Sequence, residues 1–153
     1  MMEMITINSG SGGNCYLLRA SSGETLLIEC GVPYAEILRA VNFKVSSIVG
    51  CVASHPHGDH IRSIFHLLAD GVKIYASRGT FDAKRITGHH NTIPIANGEQ
   101  VQIGSFQVKA FDINHDAPEP LGFLIWHEEM GLTLFMTDSY YMEYRDWETP
   151  LLS

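Results

Sequence analysis

The sequence predicts a mixed α/β fold in which helices pack against a sheet. Three observations carry that expectation. Short apolar segments rich in β-branched residues alternate with helical stripes over the first two thirds of the chain, and strand-like segments fill the rest. Clusters of Gly, Pro, Ser and Asn separate them, with no repeat, low-complexity tract or charged block to mark a linker. At 153 residues, with 45% hydrophobic and 18% charged residues, the chain has the length and balance of one domain, residues 1–153, with a real core.

The elements follow in order. Residues 4–7 read as a strand, and Ser9-Gly10-Ser11-Gly12-Gly13-Asn14 as a Gly-rich hairpin turn, since no Walker Lys or helix follows it. Strands at 15–19 and 25–29 flank the loop Ser21-Ser22-Gly23. Pro33 opens a helix whose apolar stripe is Tyr34, Ile37, Leu38 and Val41. Residues 47–53 form a compact apolar run suited to a buried strand. Ile61, Ile64, Phe65 and Leu68 give a second helical stripe that ends near Gly71. A short strand at 73–76, a short helix at 80–86, and strands at 101–103, 106–113, 121–127 and 132–137 complete the pattern.

Composition excludes several classes. Ten Lys and Arg face seventeen Asp and Glu, a net charge of −7, which disfavours nonspecific attraction to nucleic-acid phosphates. No apolar run reaches the roughly 18 to 20 residues of a membrane helix. The N-terminus has no signal-peptide pattern. Cys15, Cys30 and Cys51 are odd in number and scattered, which fits packing residues in a reducing cytoplasm.

Histidine is abundant, with 8 in the chain, and it is clustered. His55-Pro56-His57-Gly58-Asp59-His60 puts four ligand-type residues into six positions, between a strand and a helix. His55 and His57 are two apart, so extended backbone sends both imidazoles to one side. Gly58 is expected to turn the chain so that Asp59 and His60 point back. Neutral imidazoles suit zinc, and a carboxylate beside them can hold a second ion or orient water.

This run resembles the His-x-His-x-Asp-His signature of the metallo-β-lactamase superfamily. The resemblance implies an α/β fold of metallo-β-lactamase-type αββα sandwich architecture, with its second half incomplete in this chain. It also implies that His55, His57 and His115 hold one divalent ion, that Asp59 and His60 hold another, and that Asp138 bridges them. His115 lies in Asn114-His115-Asp116-Ala117-Pro118-Glu119-Pro120, and Asp138 in Phe135-Met136-Thr137-Asp138-Ser139, each following a strand. Asp116 and Glu119 flank His115 and are candidate acceptors for its second N–H. Glu29, in Ile28-Glu29-Cys30-Gly31, stands where the family has Asp supporting the metal loop, and its longer arm shifts that support. The implied cofactor is a pair of zinc ions, with manganese or iron as alternatives. The family's last metal-binding His falls beyond Ser153, so the second ion is expected to be weakly held, completed by water, or absent. An incomplete second layer would be covered by another copy of the chain, or would mark a shortened variant.

Within the superfamily the resemblance is to the WalJ/YycJ-like bacterial and phage branch, from Ser-Gly-Ser-Gly-Gly-Asn-Cys through His-Asp-Ala-Pro-Glu-Pro to Met-Thr-Asp-Ser. It implies a metal-dependent phosphodiesterase acting on nucleic-acid ends or small or cyclic nucleotides, through hydroxide generated on the ions and oriented by Asp59 as the catalytic carboxylate. Two alternatives stay open: hydrolysis of a thioester, lactone or β-lactam, and a metal-stabilised binding domain without turnover. The redox branch of the family fits less well, because it carries Glu where His57 stands. Of the remaining histidines, His66 is expected on the solvent side of its helix and His127 in a structural or exposed position. His89 and His90 are expected in a polar loop that could reach substrate.

Overall fold

The computed structural model describes residues 1–9, 13–54, 56–86, 88–112 and 121–136. The first sheet is built from β1 (Glu3–Asn8), β2 (Cys15–Arg19), β3 (Thr25–Ile28), β4 (Ile48–Val52), β5 (Ile74–Ala76) and β6 (Thr92–Pro94), hydrogen-bonded in that order. β1, β2 and β3 pair antiparallel, whereas β3, β4, β5 and β6 run parallel. The parallel part needs crossovers, supplied by helices α1 (Tyr34–Ala40), α2 (Gly58–Ile61), α3 (Ile64–Ala69) and α4 (Arg78–Ala83). The second sheet, β7 (Gln100–Ile103), β8 (Phe106–Asp112), β9 (Leu121–His127) and β10 (Gly131–Phe135), is an antiparallel meander.

The period-2 geometry of strands divides the apolar residues between two cores. Leu17, Leu27, Cys51 and Ile74 face the helices and pack with Ile37, Ile61, Ile64, Leu67 and Phe81. Leu18, Leu26, Ile28 and Val52 face the other way and meet Phe106, Val108, Ala110, Phe123 and Ile125 of the second sheet. The described residues therefore form a helix–sheet–sheet stack. Carboxylates clasp the two sheets at the far end. Ser105 N–H donates to Glu24 Oε1 at 2.9 Å, and the Ser21 N–H and hydroxyl donate to the Glu129 carboxylate at 3.1 and 2.7 Å. His127 is buried beside them. Its Nδ1 accepts from the Glu129 N–H at 3.0 Å, so its proton is assigned to Nε2, which donates to Ser105 Oγ at 2.8 Å. A structural role was one of its two expected readings.

The elements differ from expectation where tertiary contacts intervene. The single stripe over 61–68 is two short helices. Ser63 N–H donates to Cys30 O at 2.9 Å instead of continuing the first helix, and Ser63 Oγ bonds Val32 O. The chain restarts as α3 with Ile64, Leu67 and Leu68 inward, leaving Phe65 57% exposed. β3 ends at Ile28, because Glu29 takes a φ of +67°. The helix expected at 80–86 begins earlier, at Arg78, where the Ser77 hydroxyl accepts the Thr80 N–H at 3.1 Å. β6 was not expected: it is three residues ending in Pro94, tolerated because the strand lies at the sheet edge.

Two outcomes follow. A Cβ on Gly50 of β4 would fall 2.7 Å from Ile103 Cγ2 and 3.0 Å from Tyr75 Cε1, so only glycine lets the sheets close there. Gly50→Val should lose about 1–3 kcal/mol from overpacking, seen as a lower urea midpoint at unchanged slope. The three cysteines are free and buried. The Cys51 thiol, hydrogen-bonded to Cys30 and buried, is pushed well above its usual range, and burial does the same to Cys15. Thiol titration with an aromatic disulfide reagent should detect no fast-reacting thiol in the folded chain and all three after denaturation. One fast native thiol would contradict this placement.

Candidate metal centre

The parallel strands β3, β4 and β5 all end at one edge of the first sheet. The ligand-rich loop leaves β4 at that edge. Its first described feature is Ser54, which is buried, and the loop then runs through Pro56 and His57 into α2. His57 has extended backbone (φ −67°, ψ 144°), and its carbonyl accepts the N–H groups of His60 at 2.9 Å and Ile61 at 3.2 Å. His57 is exposed at this edge, whereas His60, three residues on, is fully buried. Gly58 does not make the tight turn expected of it. It has helical backbone with no positive φ, and a Cβ there would meet nothing within 4 Å, so the first turn of α2 itself redirects the chain.

Glu29 organises this loop. It is 0% exposed, and its left-handed φ swings the side chain away from the direction β3 would give it. Its Oε1 accepts the Ser54 N–H at 2.8 Å, and its Oε2 accepts the Ser54 hydroxyl at 2.5 Å and bonds His60 Nδ1. The backbone around it is held equally firmly. Glu29 N–H donates to Val52 O at 2.8 Å and Cys30 N–H to His60 O at 2.7 Å. Gly31 N–H donates to Asn14 O at 2.9 Å, and Gly13 (φ +123°) lies so close that a Cβ would come 2.2 Å from Gly31 O. The turn at 29–31 thus joins the β1–β2 hairpin, the β4 loop and α2 at one point.

The carboxylate fixes the histidine's chemistry. An acceptor on Nδ1 assigns the ring proton to that atom, so Nε2 carries the lone pair, which is the form that ligates a divalent ion. That donor chemistry fits a metal. Ser54 is the residue that sequence reasoning missed; a polar residue placed directly between a buried strand and His55 is the only signal that could have found it.

The remaining residues predicted for the centre divide by placement. His55, His115, Asp116 and Asp138 lie outside the described residues, as does the side chain of Asp59. Among the described residues no three His, Cys, Asp or Glu side chains come together closely enough to hold an ion. The backbone flanks of the undescribed segments nevertheless reach this edge. Asp112 pairs with Leu121, and Leu121 N–H donates to Ser54 O at 2.8 Å. Phe135, last of β10, pairs with Phe123 near the same end of β9. Two histidines fall elsewhere: His66 is exposed and stacks on Tyr34, and His127 is in the inter-sheet clasp.

A helix–sheet–sheet stack with a carboxylate-braced imidazole where its parallel strands end defines a metallo-β-lactamase-type fold. Residues 25–150 match the Beta-lactamase superfamily domain, and the chain belongs to that family. Over 152 residues it is 26% identical to the exodeoxyribonuclease YycJ of Bacillus anthracis, covering 94% of this chain and 57% of that protein. Over 147 residues it is 25% identical to the exodeoxyribonuclease WalJ of Streptococcus pneumoniae, covering 90% and 54%. The chain thus spans about half the length of the curated relatives it matches. Among solved structures it resembles the metallo-β-lactamase fold protein YhfI of Bacillus subtilis, with a TM-score of 0.75, 19% identity, and coverage of 94% of this chain and 65% of that one.

Glu29→Ala should leave the Ser54 N–H and hydroxyl and the His60 Nδ1–H buried without their acceptor. A loss of at least about 2 kcal/mol in urea unfolding is expected. Unchanged stability would show that the carboxylate does not organise the loop.

Proposed function

We propose that the chain carries the metal-dependent phosphodiesterase centre of a nuclease, hydrolysing phosphodiesters at nucleic-acid ends. The observation that carries this reading is the fully buried Glu29–His60 pair. Burying a carboxylate and an imidazole together is a poor way to gain stability, and a good way to fix a ligand's tautomer and direction. The exodeoxyribonuclease relatives support the substrate class. Among the described residues no helix is long and apolar enough to cross a membrane.

His55, His57, Asp59, His60, His115 and Asp138 would hold the divalent metal, and zinc is the first choice from the ligand types. Such ions, when bound, supply Lewis-acid polarisation of a phosphoryl oxygen and an activated water at neutral pH. The chain's own contribution is orientation. Glu29 holds the proton on His60 Nδ1 and keeps the ring from turning, and through Ser54 it sets where the β4 loop begins. Asp59 takes the catalytic role, its carboxylate orienting the attacking water and accepting its proton.

The test combines metal analysis with turnover. The purified chain should bind zinc or manganese and hydrolyse bis(p-nitrophenyl) phosphate and single-stranded DNA. Chelation, His60→Ala or Asp59→Asn should remove the activity by 100-fold or more. Turnover only of thioesters, lactones or β-lactams would overturn the phosphodiesterase reading, and metal binding with no turnover of any of these would leave a binding domain. Glu29→Gln separates bracing from folding. Its amide N–H would face His60 Nδ1 and favour a proton on Nε2, so metal affinity should fall about 10- to 100-fold while the fold survives. Nitrogen-15 histidine NMR should show the tautomer change.

A further inference from the structure

We propose that the groove between α4 and β6 is a nucleotide subsite, in which a base of a single-stranded DNA substrate stacks on the paired imidazoles of His89 and His90 while Arg78 takes an adjoining phosphate. The proposal rests on the nuclease reading above and adds to it where the strand lies. The groove has a volume of about 300 Å³ and is lined by Arg78, Phe81, Asp82, His89, His90 and Pro94 among others. That is the lower end of the range for small-ligand pockets, enough for one nucleotide unit.

Its chemistry is mixed in the way a nucleotide requires. The two imidazoles are stacked, with centroids 4.8 Å apart and 12° between their planes, so a base can extend the stack from an outer ring face. The pair is held in place. Asn91 N–H donates to His89 Nδ1 at 3.1 Å, and His89 O accepts from the Thr92 N–H at 3.0 Å and the Thr92 hydroxyl at 2.6 Å. Bases stack on such surfaces without regard to sequence. Arg78 brings a permanent cation with the forked geometry that suits phosphate. Asp82 makes the groove a poor home for a bare anion, but its carboxylate can accept from a base's exocyclic amine.

The Arg78 end of the groove lies at the metal-loop edge, and the histidine pair lies toward the start of β5 and β6, where Ile74 pairs with Thr92 and its N–H donates to Asn91 O at 2.8 Å. Val52 pairs with Tyr75, and Ala53 N–H donates to Tyr75 O at 2.9 Å, so β4 and β5 end side by side. Arg78 begins the helix just beyond the end of β5, as His57 begins one beyond β4. A strand crossing this edge from the metal loop meets the Arg78 end of the groove first and the histidine pair further along.

The experiment is fluorescence anisotropy of a 5′-labelled single-stranded DNA 12-mer, titrated with the full chain in a chelator so that binding is read apart from catalysis. Arg78→Ala and His90→Ala, both at exposed positions, should each weaken binding about 10-fold, with folding checked by thermal midpoint. Lys44→Ala, an exposed cation before β4 and outside the groove lining, should change binding less than 2-fold. With a 12-mer of abasic sites the His90→Ala effect should vanish and the Arg78→Ala effect remain. Wild-type affinity in Arg78→Ala and His90→Ala, or no binding by the wild type, would overturn the subsite. DNA hydrolysis with no effect of either substitution on binding leaves the nuclease reading standing and removes the subsite. The predicted binding losses in a chain that hydrolyses no phosphodiester do the reverse.

Discussion

The carboxylate of Glu29 is the constraint on which the rest of this site depends. One fully buried group accepts from the backbone and the hydroxyl of Ser54 and from the ring of His60, and it does so from a left-handed backbone position that a glutamate seldom adopts. The strained turn is held by its neighbours: Val52 O receives the Glu29 N–H, His60 O receives the Cys30 N–H, and Asn14 O receives the Gly31 N–H. Three separate pieces of chain therefore meet on one turn. Interrupting the helix at Ser63 is a consequence of the same junction, since Cys30 O captures the donor that would have extended it. With the backbone at positive φ, the Glu29 side chain folds inward and reaches two partners.

The sheet sets where that turn can act. Parallel strands bring the ends of β3, β4 and β5 to one edge. Glu29 follows β3, Ser54 and the His-rich loop follow β4, and Arg78 follows β5. The second sheet adds its own ends, with Leu121 tied to Ser54 and Phe135 paired to Phe123. A net charge of −7 makes long-range attraction of a polyanion weak, so the proposed subsite relies on local contacts from the stacked His89–His90 pair and Arg78.

Much of this was legible in residue order alone. The strand alternation of Phe106, Val108 and Ala110 against Gln107 and Lys109 gives β8 without any structure, and Leu17–Leu18 and Leu26–Leu27 mark strands covered on both faces. The clustering of His55, His57, Asp59 and His60 pointed to metal chemistry, because few other arrangements place four ligand types in six positions. What stayed hidden has one cause: it depends on contacts between segments distant along the chain. β6 is three residues with no pattern of its own and becomes a strand only by pairing with β5. Phe65 fits an apolar stripe but is exposed, because the helix break at Ser63 sets the burial of α3 afresh.

By itself the sequence determined the α/β class, the element order apart from β6 and the helix break at Ser63, and the presence of a ligand-rich loop, since these follow from local periodicity and side-chain chemistry. Only the tertiary structure decided which nitrogen of His60 is held, that Ser54 belongs to the brace, and that His89, His90 and Arg78 line one groove. Those outcomes require residues 25 to 31 positions apart to meet at Glu29, and α4 to fold back along an edge strand. Contacts between such segments form only once the sheet has closed, so the order of residues in the chain does not fix which partners meet.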